Sequence, residues 1–327
     1  MIISRTPFRI SFFGGGTDYP NWYKEHGGCV ISTTINKYSF ITARYLPPFF
    51  DYKYRIRYFS HEETDTLDKI KHPSVRECAK YLQIKEGIEF FSRKYKAQKY
   101  LGYFQAFTNT YAPLSELKIM YKEALAHPDV IGLVIATRPD CIKDEVLDYL
   151  EELANKNYFI KLEFGLESTK NETLVKINRC QTHEDAIDAF DRAKNRGLHL
   201  GGHLILGLPG ETKEDMLNHA IMVSELPIDT LKIHHLQIVK HTMMAHQFKN
   251  TPDMFTFMEL DEYIDLVVDF IELLNPEIII ERFFSESPDR MLIYPKYGLK
   301  NFEVKHLVDK RLEERDAIQG RLFQISE

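Results

Sequence analysis

Five short segments hold most of the residues able to bind or transform a small molecule. They are Thr108-Asn109-Thr110-Tyr111, Thr137-Arg138-Pro139-Asp140, Glu163-Phe164-Gly165-Leu166-Glu167-Ser168, Gly207-Leu208-Pro209-Gly210-Glu211-Thr212 and Lys240-His241-Thr242. Hydroxyls, carboxylates and cations beside glycines suit a polar ligand approached closely by backbone N–H groups. Each segment alone also has a plain structural reading. Gly-Leu-Pro-Gly makes a turn, and Ser168 or Thr212 can cap a helix. His234, His235, His241 and His246 gather nearby but match no standard zinc spacing, so no metal site is expected. Lys310–Arg315 reads as a solvated helix face.

The elements that must carry these segments follow from periodicity. From about residue 98 the pattern alternates strand and helix, with strands at Tyr100–Ala106, Val130–Thr137, Tyr158–Phe164, Leu198–Leu206 and Thr230–Val239. Val146, Leu147, Leu150 and Leu153 share one helix face; Ala186, Ile187, Phe190 and Ala193 share another. Thr182 and Asp185 form a capping box, and Gly197 is placed to end that helix. Spacing of roughly 30 residues between strands predicts βαβ units, hence a parallel sheet. A doubly wound sheet and an incomplete (β/α) barrel both fit, and either puts the five segments together where strands end and helices begin. Before residue 60 the pattern differs. Ile2–Arg5, Phe8–Phe13, Cys29–Thr34, Ser39–Tyr45 and Tyr54–Phe59 are aromatic or β-branched runs between glycine and proline turns.

Composition narrows the class. The 327 residues are 44% hydrophobic and 28% charged with a net charge of −6, which excludes disorder and fibrous repeats. Charge is uneven: residues 1–84 carry 12 Lys+Arg against 8 Asp+Glu, and the remainder 30 against 40. No apolar run approaches the ~20 residues of a membrane span, and the first residues lack the pattern of a signal peptide. Four scattered cysteines (Cys29, Cys78, Cys141, Cys180) make no disulfide framework, so a cytoplasmic location is expected. A small-molecule ligand is expected. Neither a membrane nor nucleic acid is indicated, and protein partners are not legible.

The runs Tyr103–Pro113, Ala136–Cys141, Leu162–Ser168 and His203–Thr212, in that order, resemble the C-terminal part of YhcC-type radical S-adenosylmethionine (SAM) proteins. The resemblance spans about Glu86 to Gly320. It implies an α/β fold, a partial (β/α) barrel lacking its first βα unit, with SAM at the C-terminal ends of the strands. By resemblance Glu163, Ser168 and Arg179 hold the amino acid end of SAM, with Arg179 clasping its carboxylate. The backbone around Ile205-Leu206-Gly207 would lie against the adenine, and Pro209 and Glu211 complete the SAM-binding set that the resemblance implies. The family's glutamine before the serine is Glu167 here. The family also uses a [4Fe–4S] cluster held by Cys-x-x-x-Cys-x-x-Cys. This sequence has no such run, its nearest cysteines, Cys141 and Cys180, being 39 residues apart. SAM binding is therefore expected to be weak or vestigial, with no intact catalytic set.

Residues 1 to about 82 resemble something else. Arg5–Pro20, Tyr45–Phe50 and His72–Cys78 are similar to the N-terminal segment of GHMP-superfamily sugar kinases, heptose 7-phosphate kinases among them. That resemblance implies a sugar site at Arg9, Gly14, Gly15, Gly16, Thr17 and Asp18. The superfamily's Pro-x-x-x-Gly-Leu-Gly-Ser-Ser phosphate loop is not in this sequence, so ATP and Mg²⁺ enter only if the chain is a kinase. The organisation read from both resemblances is a kinase-like fragment at 1–84, a radical-SAM-like barrel at 85–258 and a helical extension at 259–327. Three functions compete: a SAM-binding barrel with impaired chemistry, a sugar-phosphate kinase, and a non-catalytic fusion of two incomplete domains.

Overall fold

Period-two apolar residues flanked by helices with one apolar face assemble as sheet and cover layer. The computed structural model describes residues 2–13, 31–43, 54–57, 61–73, 75–80, 88, 92, 98–105 and 108–324. The chain divides into two units, Met1–Gln83 and Ile84–Glu327. In the first, β1 (Ile2–Phe13) pairs antiparallel with β2 (Ile31–Ala43), and β3 (Tyr54–Arg57) with β4 (His61–Thr64). The runs Ile2–Arg5 and Phe8–Phe13 are one continuous strand. Pro7 stays in register opposite Tyr38, and the ladder shifts immediately after it, between Pro7 and Arg9.

The second unit is a six-stranded parallel sheet, curled into a half-barrel. Its strands are β5 (Tyr100–Phe104), β6 (Val130–Thr137), β7 (Phe159–Glu167), β8 (His199–Leu206), β9 (Thr230–His235) and β11 (Ile279–Arg282), in the order β11-β9-β8-β7-β6-β5. The five strands expected from the sequence are parallel neighbours in chain order. The run expected at Thr230–Val239 breaks after His235, and its remainder, β10 (Ile238–Val239), pairs antiparallel with β12 (Leu292–Tyr294). The sixth parallel strand, β11, was not legible in the sequence. It is only four residues long and comes from the segment read there as a helical extension.

Between the strands lie α1 (Leu114–Ala124), α2 (Asp144–Ala154), α3 (Asn171–Lys176), α4 (His183–Ala193) and α5 (Lys213–Ser224). α6 (Met243–Asn250), α7 (Leu260–Leu273) and α8 (Asn301–Glu314) follow. Ile160, Leu162, Phe164, Leu204 and Leu231 point from the sheet into the core, where Phe164 meets Phe190 of α4 edge-on at 4.9 Å. The buried face of α4 is Ala186, Ala189, Phe190 and Ala193, while Ile187 is exposed. The stripe lies one position round from the expected one. The Thr182–Asp185 capping box forms. The helix ends at Lys194, and Asn195, at φ +62°, takes the left-handed position expected of Gly197. Lys310 is solvated, but Arg311 and Arg315 are not spare: they pair with Asp265, and Arg315 also with Asp269, tying α8 to α7. Among the described residues no helix is long and apolar enough to cross a membrane.

Candidate functional site

Because the helices take one face of each strand, the alternate residues face the concave side of the half-barrel. There the sequence places Tyr103 on β5, Lys161 and Glu163 on β7, His203 on β8, Lys232 and His234 on β9 and Glu281 on β11. All of these but His234 form one bonded network centred on Glu163, whose side chain is 1% exposed. Lys232 Nζ donates to Glu163 Oε1 at 2.6 Å, and Lys161 Nζ lies 3.0 Å from the same oxygen. Tyr103 donates to Oε2 at 2.9 Å, with His203 Nε2 3.0 Å from it. Lys161 also donates to Glu281 at 2.5 Å. Burial alone would raise the Glu163 carboxyl. The hydrogen bonds from His203 and Lys232 outweigh it and hold the group well below the usual carboxylate range. Burial next to Glu163 pushes the Tyr103 phenol up. Burial, with the positive charges of Arg282 and Lys232 nearby, lowers His234 to about 3, so that imidazole is neutral.

Gly201 of β8 makes room for this network. A Cβ there would lie 2.9 Å from Thr230 Oγ1, 3.1 Å from Lys161 Cε and 3.2 Å from Glu163 Cγ. Gly201→Ala is expected to lower stability by about 1–3 kcal/mol through overpacking. Urea midpoints of the two proteins test it, and equal midpoints would show that the lysine gives way freely.

At the strand ends the structure joins the loops pairwise. Thr110 and Thr137 hydroxyls are 2.6 Å apart, and Thr110 donates to the Cys141 carbonyl. Arg138 grips Asp140 and reaches the Cys180 carbonyl at 2.8 Å. Ser168 donates to Glu211 at 2.6 Å, and Glu211 is 3.2 Å from His219 Nε2, all three buried. Thr212 and Thr242 cap α5 and α6. Much of the polarity that suggested a ligand is thus spent inside the loops.

The residues expected to hold SAM do not all meet. Glu163 belongs to the concave network, where its oxygens are already engaged. Ile205 shares that concave face, two residues beyond His203 and in register with His234. Arg179 donates to the Gly165 carbonyl at 3.1 Å and pairs with Glu167 at 3.0 Å, and its Nε is buried without a partner. The missing side chain of Gly165 is what admits Arg179, since a Cβ there would lie 2.4 Å from Nη2. Gly207 and Gly210 have φ of +89° and +83°, conformations that glycine adopts without strain. Beside Gly207 lies a cleft lined by His235, Phe255, Met258, Tyr294 and Tyr297. Pro209 and Glu211 are buried. Of the sugar set, Arg9 lies on β1 opposite Thr34, while Gly14, Gly15, Gly16, Thr17 and Asp18 fall outside the described residues.

Sequence reasoning missed Tyr103, Lys161, His203, Lys232 and Glu281. A signal for part of the set was present. Lys161 and Glu163 alternate with Ile160, Leu162 and Phe164, so one face of an otherwise apolar strand is charged. His234 and His235 face opposite sides. His235 stacks on Phe284 at 4.0 Å in the core, and His234 faces His203 with ring centres 5.6 Å apart.

Known proteins agree with this architecture. Residues 80–223 match the model of the radical SAM superfamily, and residues 228–314 that of the radical SAM C-terminal domain. The YtqA protein of Bacillus subtilis is 37% identical over 231 residues, which is 71% of each chain. The chain belongs to the radical SAM superfamily. MJ0486 of Methanocaldococcus jannaschii is 35% identical over 76% of this chain and 78% of its own. YhcC of Escherichia coli K12 is 34% identical over 69% and 72%. Among solved structures, Elp3 of Methanocaldococcus infernus superposes with a TM-score of 0.62 at 20% identity, over 73% of this chain and 60% of that one, a likeness of fold. The matched models begin at residue 80, and these comparisons give no support to the sugar-kinase resemblance expected for residues 1 to about 82.

The superfamily implies SAM and a [4Fe–4S] cluster, and a cluster needs three thiolates close together. In the barrel unit Cys141 and Cys180 both lie near Arg138, with Asp140 and burial raising the Cys141 thiol. Cys78 lies in the other unit, and Cys29 outside the described residues. No group of three or more His, Cys, Asp or Glu side chains suited to a metal occurs among the described residues. Within the described barrel unit, Cys141 and Cys180 supply two thiols where such a cluster takes three.

Proposed function

We propose that the half-barrel is a SAM-binding module that holds SAM weakly and does not cleave it reductively. The observation that supports binding is Arg179, a guanidinium with one buried unsatisfied N–H, fixed by Gly165 beside the left-handed turn at Glu167. A SAM carboxylate can take up that guanidinium through charge-assisted bonds. Glu167 opposes it, since its own carboxylate already sits 3.0 Å from Arg179. A glutamine there, as in the related family, would leave the cation free. The reading against cleavage rests on the donor set: the electron for the sulfonium comes from the cluster, and this sequence lacks the thiolate run that would hold one.

Calorimetric titration of SAM tests this. Arg179→Ala is expected to weaken binding ten- to hundredfold, as loss of a charge-assisted bond of ~1.5–3 kcal/mol requires. Glu167→Gln is expected to tighten it by about fivefold, the worth of a competing pair of up to ~1 kcal/mol. Equal heats from Arg179→Ala and the wild type, or 5′-deoxyadenosine formed with dithionite, would refute the proposal. Phosphorylation of heptose 7-phosphate by ATP and Mg²⁺ would instead establish the kinase function of the N-terminal segment. A fusion of two incomplete domains predicts that neither ligand binds.

A further inference from the structure

The end of β11 is irregular in a way that bears on what the concave face recognises. Ile280 pairs with Leu231, yet Arg282 pairs with Lys232, so β11 has one extra residue at Glu281. This bulge turns two successive charged residues toward one face. Glu281 reaches Lys161 at 2.5 Å and Lys232 at 3.6 Å. Arg282, in register with Lys232, is close enough to His234 and Tyr103 for its charge to act on both. Among the described residues no side chain forms an ion pair or hydrogen bond with the Arg282 guanidinium. Next to it the neutral His234 has a buried Nε2 that also has no partner. Among the described residues three cations, Lys161, Lys232 and Arg282, therefore face two carboxylates, Glu163 and Glu281. One positive charge is unmatched before any imidazole is counted, and Arg282 carries it.

We propose that the concave face is a carboxylate-binding subsite, in which Arg282, supported by His234 and Lys232, holds a monoanionic carboxylate of a small-molecule substrate. A carboxylate brings one negative charge and a planar pair of oxygens that matches the guanidinium fork. A phosphate monoester brings close to two charges near neutral pH, more than the surplus offers. The inference rests on the same barrel binding a small molecule, but on residues other than those assigned to SAM.

Benzoate and phenyl phosphate are matched probes, titrated calorimetrically into the full chain. Benzoate is expected to bind the wild type more tightly than phenyl phosphate. In Arg282→Met its binding should weaken at least about tenfold. In Glu281→Gln, which removes a competing carboxylate, it should tighten, so one variant tests a gain should the other fold poorly. Arg179→Ala should leave benzoate binding unchanged and Arg282→Met should leave SAM binding unchanged, which separates failure here from failure of the SAM reading. Absence of benzoate binding to the wild type, equal binding by Arg282→Met, tighter binding of phenyl phosphate, or loss of benzoate binding in Arg179→Ala would each overturn the proposal.

Discussion

Glu163→Ala is expected to destabilise the barrel unit by about 3–5 kcal/mol, because it leaves two inward lysines without their shared carboxylate. Lys161 and Lys232 meet on one oxygen of a side chain that is buried, while Tyr103 and His203 converge on the other. Glu281 contacts both lysines, but its side chain is 32% exposed and replaces only part of that charge. Glu163→Gln keeps the shape and removes the charge, so it should fall between wild type and alanine. Urea denaturation followed by far-UV circular dichroism measures both. A loss below about 1 kcal/mol in the alanine variant would mean that water solvates the lysines and that the network is not a closed unit.

The second large effect is in acid. His235 is buried among Phe284, Tyr263 and Tyr297, and burial lowers it to about 3. In the unfolded chain it titrates near its ordinary ~6.5. Between those values the unfolded state binds a proton that the folded state does not, so stability is full above about pH 6.5 and falls as pH drops toward 3. At ~1.4 kcal/mol per unit the total is on the order of 5 kcal/mol, and His234 adds in the same direction. Glu163 is depressed, so its contribution is lost only below the ordinary carboxylate range near ~4.3, which leaves pH 6.5 to 4.5 to the imidazoles. His235→Phe, which keeps the stack on Phe284, should flatten the fall in urea midpoint across that window. Parallel profiles for the two proteins would exclude His235 as its source.

Both effects belong to residues whose types were visible in the sequence but whose neighbours were not. The alternation of Lys161 and Glu163 with apolar residues marks a strand with one charged face. It does not say that a tyrosine 60 residues earlier and a lysine 69 residues later close on the same carboxylate. The loop residues err the other way. Ser168, Glu211, Thr212 and Thr242 look available in the sequence and are consumed by bonds to one another and to helix ends. Arg179 is where both levels agree on a residue but differ on its state, because the ion pair with Glu167 depends on a left-handed turn that spacing does not reveal.

The sequence by itself determined the order of strands and helices, the parallel sheet and the side of that sheet where loops collect. These depend on period, chain order and short-range capping, which are local properties. It also determined the cysteine set, Cys29, Cys78, Cys141 and Cys180. Tertiary structure alone decided that a four-residue strand from the C-terminal segment completes the sheet, since so short a run has no periodicity to read. It also decided that a one-residue bulge there brings Glu281 and Arg282 together beside Lys232. Register between strands some 50 residues apart in the chain is set by packing across the sheet, and a shift of one residue reverses which side chains face the concave side.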